Sequence, residues 1–109
     1  MTVSELVKAC NLHAAHLGNP SAEISGVYSC DLLSIVMSRA FAGCAWVTVM
    51  GNMNAVAVAS LAEIGVIVLA DGAKPDPNAI QKAEENGINI LVSDLPVFDT
   101  ALAIHKALG

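Results

Sequence analysis

The sequence predicts a three-layer α/β domain, a mostly parallel sheet flanked by helices, and three observations carry that prediction. Short runs rich in Val and Ile alternate with longer apolar or amphipathic segments. Each run is followed by a connection too long for a hairpin, which implies crossover helices and parallel pairing. Aromatics make up only 4% of a chain that is 55% hydrophobic, so the core has to be assembled from many small aliphatic side chains packed between layers. The 109 residues suit one core, and 1–109 is read as a single domain.

Taken in order, Thr2-Val3-Ser4-Glu5 fits a capping box, and Val3, Leu6, Val7 and Cys10 recur at helical spacing behind it. Gly18-Asn19-Pro20 is a turn, and Ile24 to Ser29 reads as a strand. Asp31 is placed to cap a helix whose apolar rows are Leu32, Leu33, Val36, Met37, Ala40 and Phe41. Ala45 to Val49 is a buried strand, and Asn54 is read as the cap of a helix from about Ala55 to Glu63 that is apolar on almost every side. Such a helix is either central or covered by another subunit. Gly65 ends it, and Val66 to Leu69 is the clearest buried strand. Asp76-Pro77 opens the next helix and Asn86-Gly87 stops it. Ile88 to Val92 is a strand, and Pro96 opens a last helix on which Phe98, Ala101, Leu102 and His105 share an apolar face.

Composition excludes several functions. Five cations, Lys8, Arg39, Lys74, Lys82 and Lys106, are scattered against ten carboxylates, which gives no clustered charge for a nucleic-acid groove. The apolar runs fall short of the ~20 residues a membrane-spanning helix needs. The start does not resemble a signal peptide, and a cytoplasmic protein is expected. Cys10, Cys30 and Cys44 lack paired spacing and are read as buried reduced thiols. Cys10-x-x-His13-x-x-His16 offers three soft or borderline ligands at a spacing that fits no standard finger, and is read as helix-end residues with exposed imidazoles. No metal and no cofactor are expected. Phosphate loops, dinucleotide fingerprints, nucleophile elbows and zincin motifs are all missing, so no catalytic residue is assigned.

In open parallel sheets ligands bind beyond the carboxyl ends of the strands. Five polar residues, Asp31, Thr48, Asn52, Asn54 and Asp71, are expected to line one cavity there, because each ends or follows a strand. Asp31, Asn54, Asp76 and Asp94 are also residue types that helix starts require for capping alone. Backbone donors at the helix start favour an anionic or carbonyl group, whereas the two aspartates favour a hydroxylated or metal-associated one.

Gly26-Val27-Tyr28-Ser29-Cys30-Asp31-Leu32-Leu33-Ser34, Ala45 to Thr48, Asn54 to Ala59, Gly65 to Leu69 and Gly72-Ala73-Lys74-Pro75 together resemble the DRTGG domain family over nearly the whole chain. The resemblance is closest to small stand-alone members, which look like the N-terminal domain of HPr kinase/phosphorylase. It implies an α/β domain of the HPr-kinase and Mur-ligase N-terminal type, commonly oligomeric, without the separate domain that carries a kinase phosphate loop. The Asp-Arg-Thr-Gly-Gly string itself is missing, and residues 52–56 stand in its place. Related domains accompany nucleotide-sensing modules, and some stand beside hydrogenase genes.

The function expected is therefore a non-catalytic regulatory or ligand-sensing module that self-associates, with a small-molecule ligand still to be named. One alternative is a structural or interaction protein with a redox-enzyme partner such as a hydrogenase. Another is an enzyme of a type the motifs do not identify.

Overall fold

A computed structural model describes all 109 residues. Ten elements follow in chain order: α1 (Val3–Ala9), β1 (His13–His16), β2 (Gly26–Ser29), α2 (Leu33–Arg39), β3 (Cys44–Thr48), α3 (Met53–Leu61), β4 (Val66–Leu69), α4 (Pro77–Asn86), β5 (Ile90–Val92) and α5 (Val97–Leu108). The strands form one sheet in the order β1-β5-β4-β3-β2, parallel from β2 to β5, with β1 antiparallel at the edge. This is the three-layer α/β fold that the alternation predicts.

Side-chain alternation on the buried strands sends successive residues to opposite layers. Cys44, Trp46, Ile67, Leu69 and Ile90 face α2, α3 and α4 through Val36, Ala55, Val56, Ala59, Ala79 and Ala83. Ala45, Val47, Val66, Val68 and Leu91 face α1 and α5 through Val3, Leu6 and Ile104. Alanines on α3 and α4 let those helices lie close to the strands, so a core with little aromatic mass still fills its space. Trp46, fully buried, is the exception, and its Nε1 donates to the Cys30 carbonyl at 2.8 Å.

The structure corrects several expectations. His13 to His16 is an edge strand, not a helix end, because β5 offers an open backbone edge that Ala and His can pair with as well as any residue. No three His, Cys, Asp or Glu side chains come together in a way that could hold a metal ion. Asp31 does not cap α2: the N-cap position is Leu32, without a side-chain bond. α3 starts two residues earlier than expected, and its cap is Asn52, whose Oδ1 accepts from the Ala55 amide at 2.9 Å, so Asn54 is an exposed residue of the first turn. On α5 the buried residues are Thr100 and Ile104. Phe98 and His105 share the opposite, exposed side, with Ala101 and Leu102 half-buried, so the apolar face expected there is turned away from the core. Of the three free thiols only Cys44 is fully buried, and burial pushes the Cys44 and Cys10 thiols up.

The capping box forms as expected, with the Glu5 amide donating to Thr2 Oγ1 and the Thr2 amide donating to Glu5 Oε1. α3 takes the central place in its layer, between α2 and α4. No helix is long and apolar enough to cross a membrane.

A candidate ligand-binding edge

Because β2, β3, β4 and β5 lie side by side in chain order, the crossovers step the same way and α2, α3 and α4 share one face. Only the β5–α5 connection turns to the other face. The loops after β4 and β5 therefore diverge, the arrangement that opens a crevice in doubly wound sheets. Here the gap is bridged: the Asp71 amide donates to the Leu95 carbonyl at 2.7 Å and the Gly72 amide to the Ser93 carbonyl at 3.0 Å. Asp71 and Gly72 both have positive φ, 56° and 69°, and the Ala73 amide closes back on the Ala70 carbonyl, a turn of the kind an Asp-Gly pair favours.

At the other side of the edge Asp31 and Thr48 meet. Thr48, fully buried, ends β3 and donates its hydroxyl to Asp31 Oδ1 at 2.6 Å, while the Val49 amide donates to the same oxygen at 3.1 Å. Thr48 Oγ1 in turn accepts from the Met50 amide at 3.3 Å. The carboxylate of Asp31 is thus held across the ends of β2 and β3, with Oδ1 occupied and Oδ2 free for something else. That fixed orientation is what the capping reading of Asp31 missed, since a cap needs only local chain whereas this contact needs the β2–β3 register, Ser29 beside Val47.

Next along the edge, the β3–α3 and β4–α4 loops lock together. A Cβ at Gly51 would sit 2.5 Å from the Lys74 carbonyl oxygen, and the Asp76 amide donates to the Gly51 carbonyl at 2.8 Å. Beneath them lies a mainly apolar crevice, lined by Met50, Gly51, Asn52, Leu69, Pro75 and core side chains, too narrow to admit a water molecule. Of the five residues singled out from the sequence, Asn52 alone lines it. Asp31 and Thr48 pair with each other, Asn54 is exposed on the first turn of α3, and Asp71 joins the β5–α5 loop. Asp76 is read from the sequence as a helix cap and Lys74-Pro75 as part of the family resemblance, but their contact with Gly51 is not foreseen there. The sequence signal for that contact is a Met-Gly-Asn turn and a Lys-Pro pair.

No protein-family model matches the chain, and no curated protein is significantly similar to it. Among solved structures it is similar to the CBS and DRTGG domains of the regulatory region of Clostridium perfringens pyrophosphatase, a structure complexed with the activator diadenosine tetraphosphate. The match has a TM-score of 0.76 at 11% identity and covers 97% of this chain. The chain spans 46% of that solved chain, so it corresponds to a part of the regulatory region. The shared property is the fold, an α/β domain, and residues 52–56 are here the cap and first turn of α3.

Proposed function

We propose that the chain is a non-catalytic regulatory module that senses a small ligand at the carboxyl edge of its sheet and self-associates. The observation that carries this reading is the Asp31–Thr48 pair, a carboxylate fixed by a buried hydroxyl and a backbone amide with its second oxygen free. A preoriented acceptor gives binding specificity by fixing the position of one ligand group.

Charge narrows the ligand class. All five aspartates, Asp31, Asp71, Asp76, Asp94 and Asp99, lie in strand-to-helix connections or the first turn of the helix that follows, and Lys74 is the one cation among them. Five negative charges and one positive leave −4 at this edge, out of −5 for the chain. A bare polyphosphate is repelled there, whereas a hydroxylated ligand or a nucleotide carrying a divalent cation is accommodated. The pyrophosphatase region of like fold supports a regulatory role, and its activator makes nucleotides the first ligands to test. Asp31 would make the central contact through its free oxygen, oriented from beneath by the buried Thr48, with Asn52, Asn54 and Asp71 at the margins.

The test is a thermal-shift series with diadenosine tetraphosphate and simpler adenine nucleotides, with and without Mg²⁺. A ligand at about one hundred times its Kd stabilises the folded state by about 2.7 kcal/mol. The expected result is a Mg²⁺-dependent rise in Tm that disappears in the Asp31→Asn/Thr48→Val double variant. No rise with any of these ligands, or an equal rise in the double variant, would defeat the reading.

A further inference from the structure

We propose that the outer face of α5 is a self-complementary contact through which two copies of the chain pair antiparallel about a two-fold axis. This deepens the self-associating part of the function proposed above and is independent of its ligand part.

The buried side of α5 is set by Thr100 and Ile104. Helical spacing puts Phe98, Asp99, Leu102, His105 and Lys106 on the side turned away from the sheet. Phe98 is 71% exposed although it is one of only two phenylalanines in the chain. Leu102 lies one turn further on, so the two make a short apolar stripe.

The stripe is displayed by a rigid support. The Leu95 amide donates to Ser93 Oγ, that hydroxyl bonds the Thr100 hydroxyl at 2.9 Å, and Thr100 Oγ1 donates back to the Leu95 carbonyl at 3.2 Å. Both hydroxyl residues are buried. This closed ring, with Pro96 inside it, fixes how α5 begins, so little freedom remains to be lost when Phe98 is covered.

The identity of the partner follows from the order of charges along the stripe. Asp99 stands in the first turn of α5, and His105 and Lys106 stand in the last. Two such helices crossing antiparallel near Leu102 bring positions equally far from it together. Asp99 then meets His105 and Lys106 of the second copy, and the stem of that Lys106 lies over Phe98. A uniformly basic segment would be opposed by the last turn, and a uniformly acidic segment or an anionic membrane by the first. A second copy in reverse direction satisfies both ends. Twelve residues at 1.5 Å rise make a face about 18 Å long and roughly 10 Å wide, about 180 Å² per copy against the ~800 Å² per partner of a standard interface, so the pair is a weak one. α3, the helix whose sequence pattern first suggests self-association, is enclosed by α2 and α4 and exposes only its end residues Met53 and Leu61 as large apolar groups.

Sedimentation velocity on the full chain, from about 10 to about 500 μM, tests this directly. The wild type is expected to show a concentration-dependent dimer that Phe98→Ser abolishes. Asp99→Lys and Lys106→Glu alone should each weaken the dimer about fivefold or more, because each removes two symmetry-related charge pairs. Combining both reversals should restore it, since the exchanged charges meet again across the axis. Circular dichroism on each exposed-site variant confirms that the fold is retained. A wild type that stays monomeric throughout overturns the proposal and leaves the stripe to another partner. A dimer indifferent to Phe98→Ser, or a double reversal without rescue, overturns it as well and assigns self-association to a different face. None of these failures would alter the nucleotide thermal shift.

Discussion

Asn89 ties three segments together with one buried side chain. Its Nδ2 donates to the Asn19 carbonyl at 2.8 Å and the Gly65 carbonyl at 3.0 Å, and its Oδ1 accepts from the Asn19 amide at 2.8 Å. Asn89→Leu leaves those backbone groups without their partner and is expected to cost about 2–4 kcal/mol. A urea midpoint that moves by less than about 0.5 kcal/mol equivalent would contradict this. Thr48→Val is milder, about 1 kcal/mol, because the Val49 amide still holds Asp31. Glu5 adds a pH dependence. The Thr2 backbone amide, and then its hydroxyl, hold the Glu5 carboxyl below the ordinary glutamate range. A carboxylate whose pKa falls on folding stabilises the protein above its unfolded pKa and loses that contribution as pH drops through the depressed folded value. Glu5→Gln should therefore lower Tm at pH 7, with the gap from wild type closing below the ordinary value of 4.5. At this scale the sequence was legible where a residue acts on its own turn, as Thr2 and Glu5 do. Asn89 and Asp31 act across 70 and 17 residues, and nothing local distinguishes them from a strand polar residue or a cap.

The elements that could be read in advance are those whose ends are written in local chemistry. α4 begins with Pro77 at its first position and ends on Gly87 at φ 66°, the proline-to-glycine asymmetry its sequence displays. β4 and all of β3 up to Thr48 are continuous apolar runs, and both strands are buried at every position. β1 lacked any such mark, because His-Ala-Ala-His is extended only through pairing with β5, and even that pairing slips between Ala14 and His16. The start of α3 was offset for a related reason: Asn52 and Asn54 are equally good caps by type, and the choice depends on where the loop is held by Lys74 and Asp76. Gly51 tests that hold. Gly51→Ala places a methyl against the Lys74 carbonyl, a backbone atom that cannot rotate away, so the β3–α3 and β4–α4 loops must part. A loss of about 1–3 kcal/mol is expected, together with faster amide exchange at Ala55 and Asp76, whose bonds depend on that contact. Unchanged exchange at both amides would show that the loops are not coupled.

The distribution of charge over the whole molecule makes the last prediction. Every aspartate sits at the carboxyl edge of the sheet and every glutamate elsewhere. Short side chains suit the strand-to-helix turns, so the asymmetry grows out of local preferences summed over one topology. Its consequence is global. β2 and β5 are three strand spacings apart, about 14 Å, so all the edge strands lie within one Debye length at 10 mM salt, about 30 Å, and the outermost ones beyond it at 150 mM, about 8 Å. Their mutual repulsion opposes folding at low ionic strength and is largely screened at physiological ionic strength. Raising NaCl from 10 to 150 mM should therefore raise Tm, and Asp94→Asn should reduce that salt dependence. Glu84→Gln, on the exposed side of α4 with Lys82 two residues away, should leave it nearly unchanged. Mg²⁺ at equal ionic strength is expected to exceed NaCl, because a divalent ion neutralises two of the edge charges at once. A Tm that is flat in salt, or equally affected by Asp94→Asn and Glu84→Gln, would mean that the edge charges are spread too widely to act together, and would remove the electrostatic argument against bare polyphosphates at this edge.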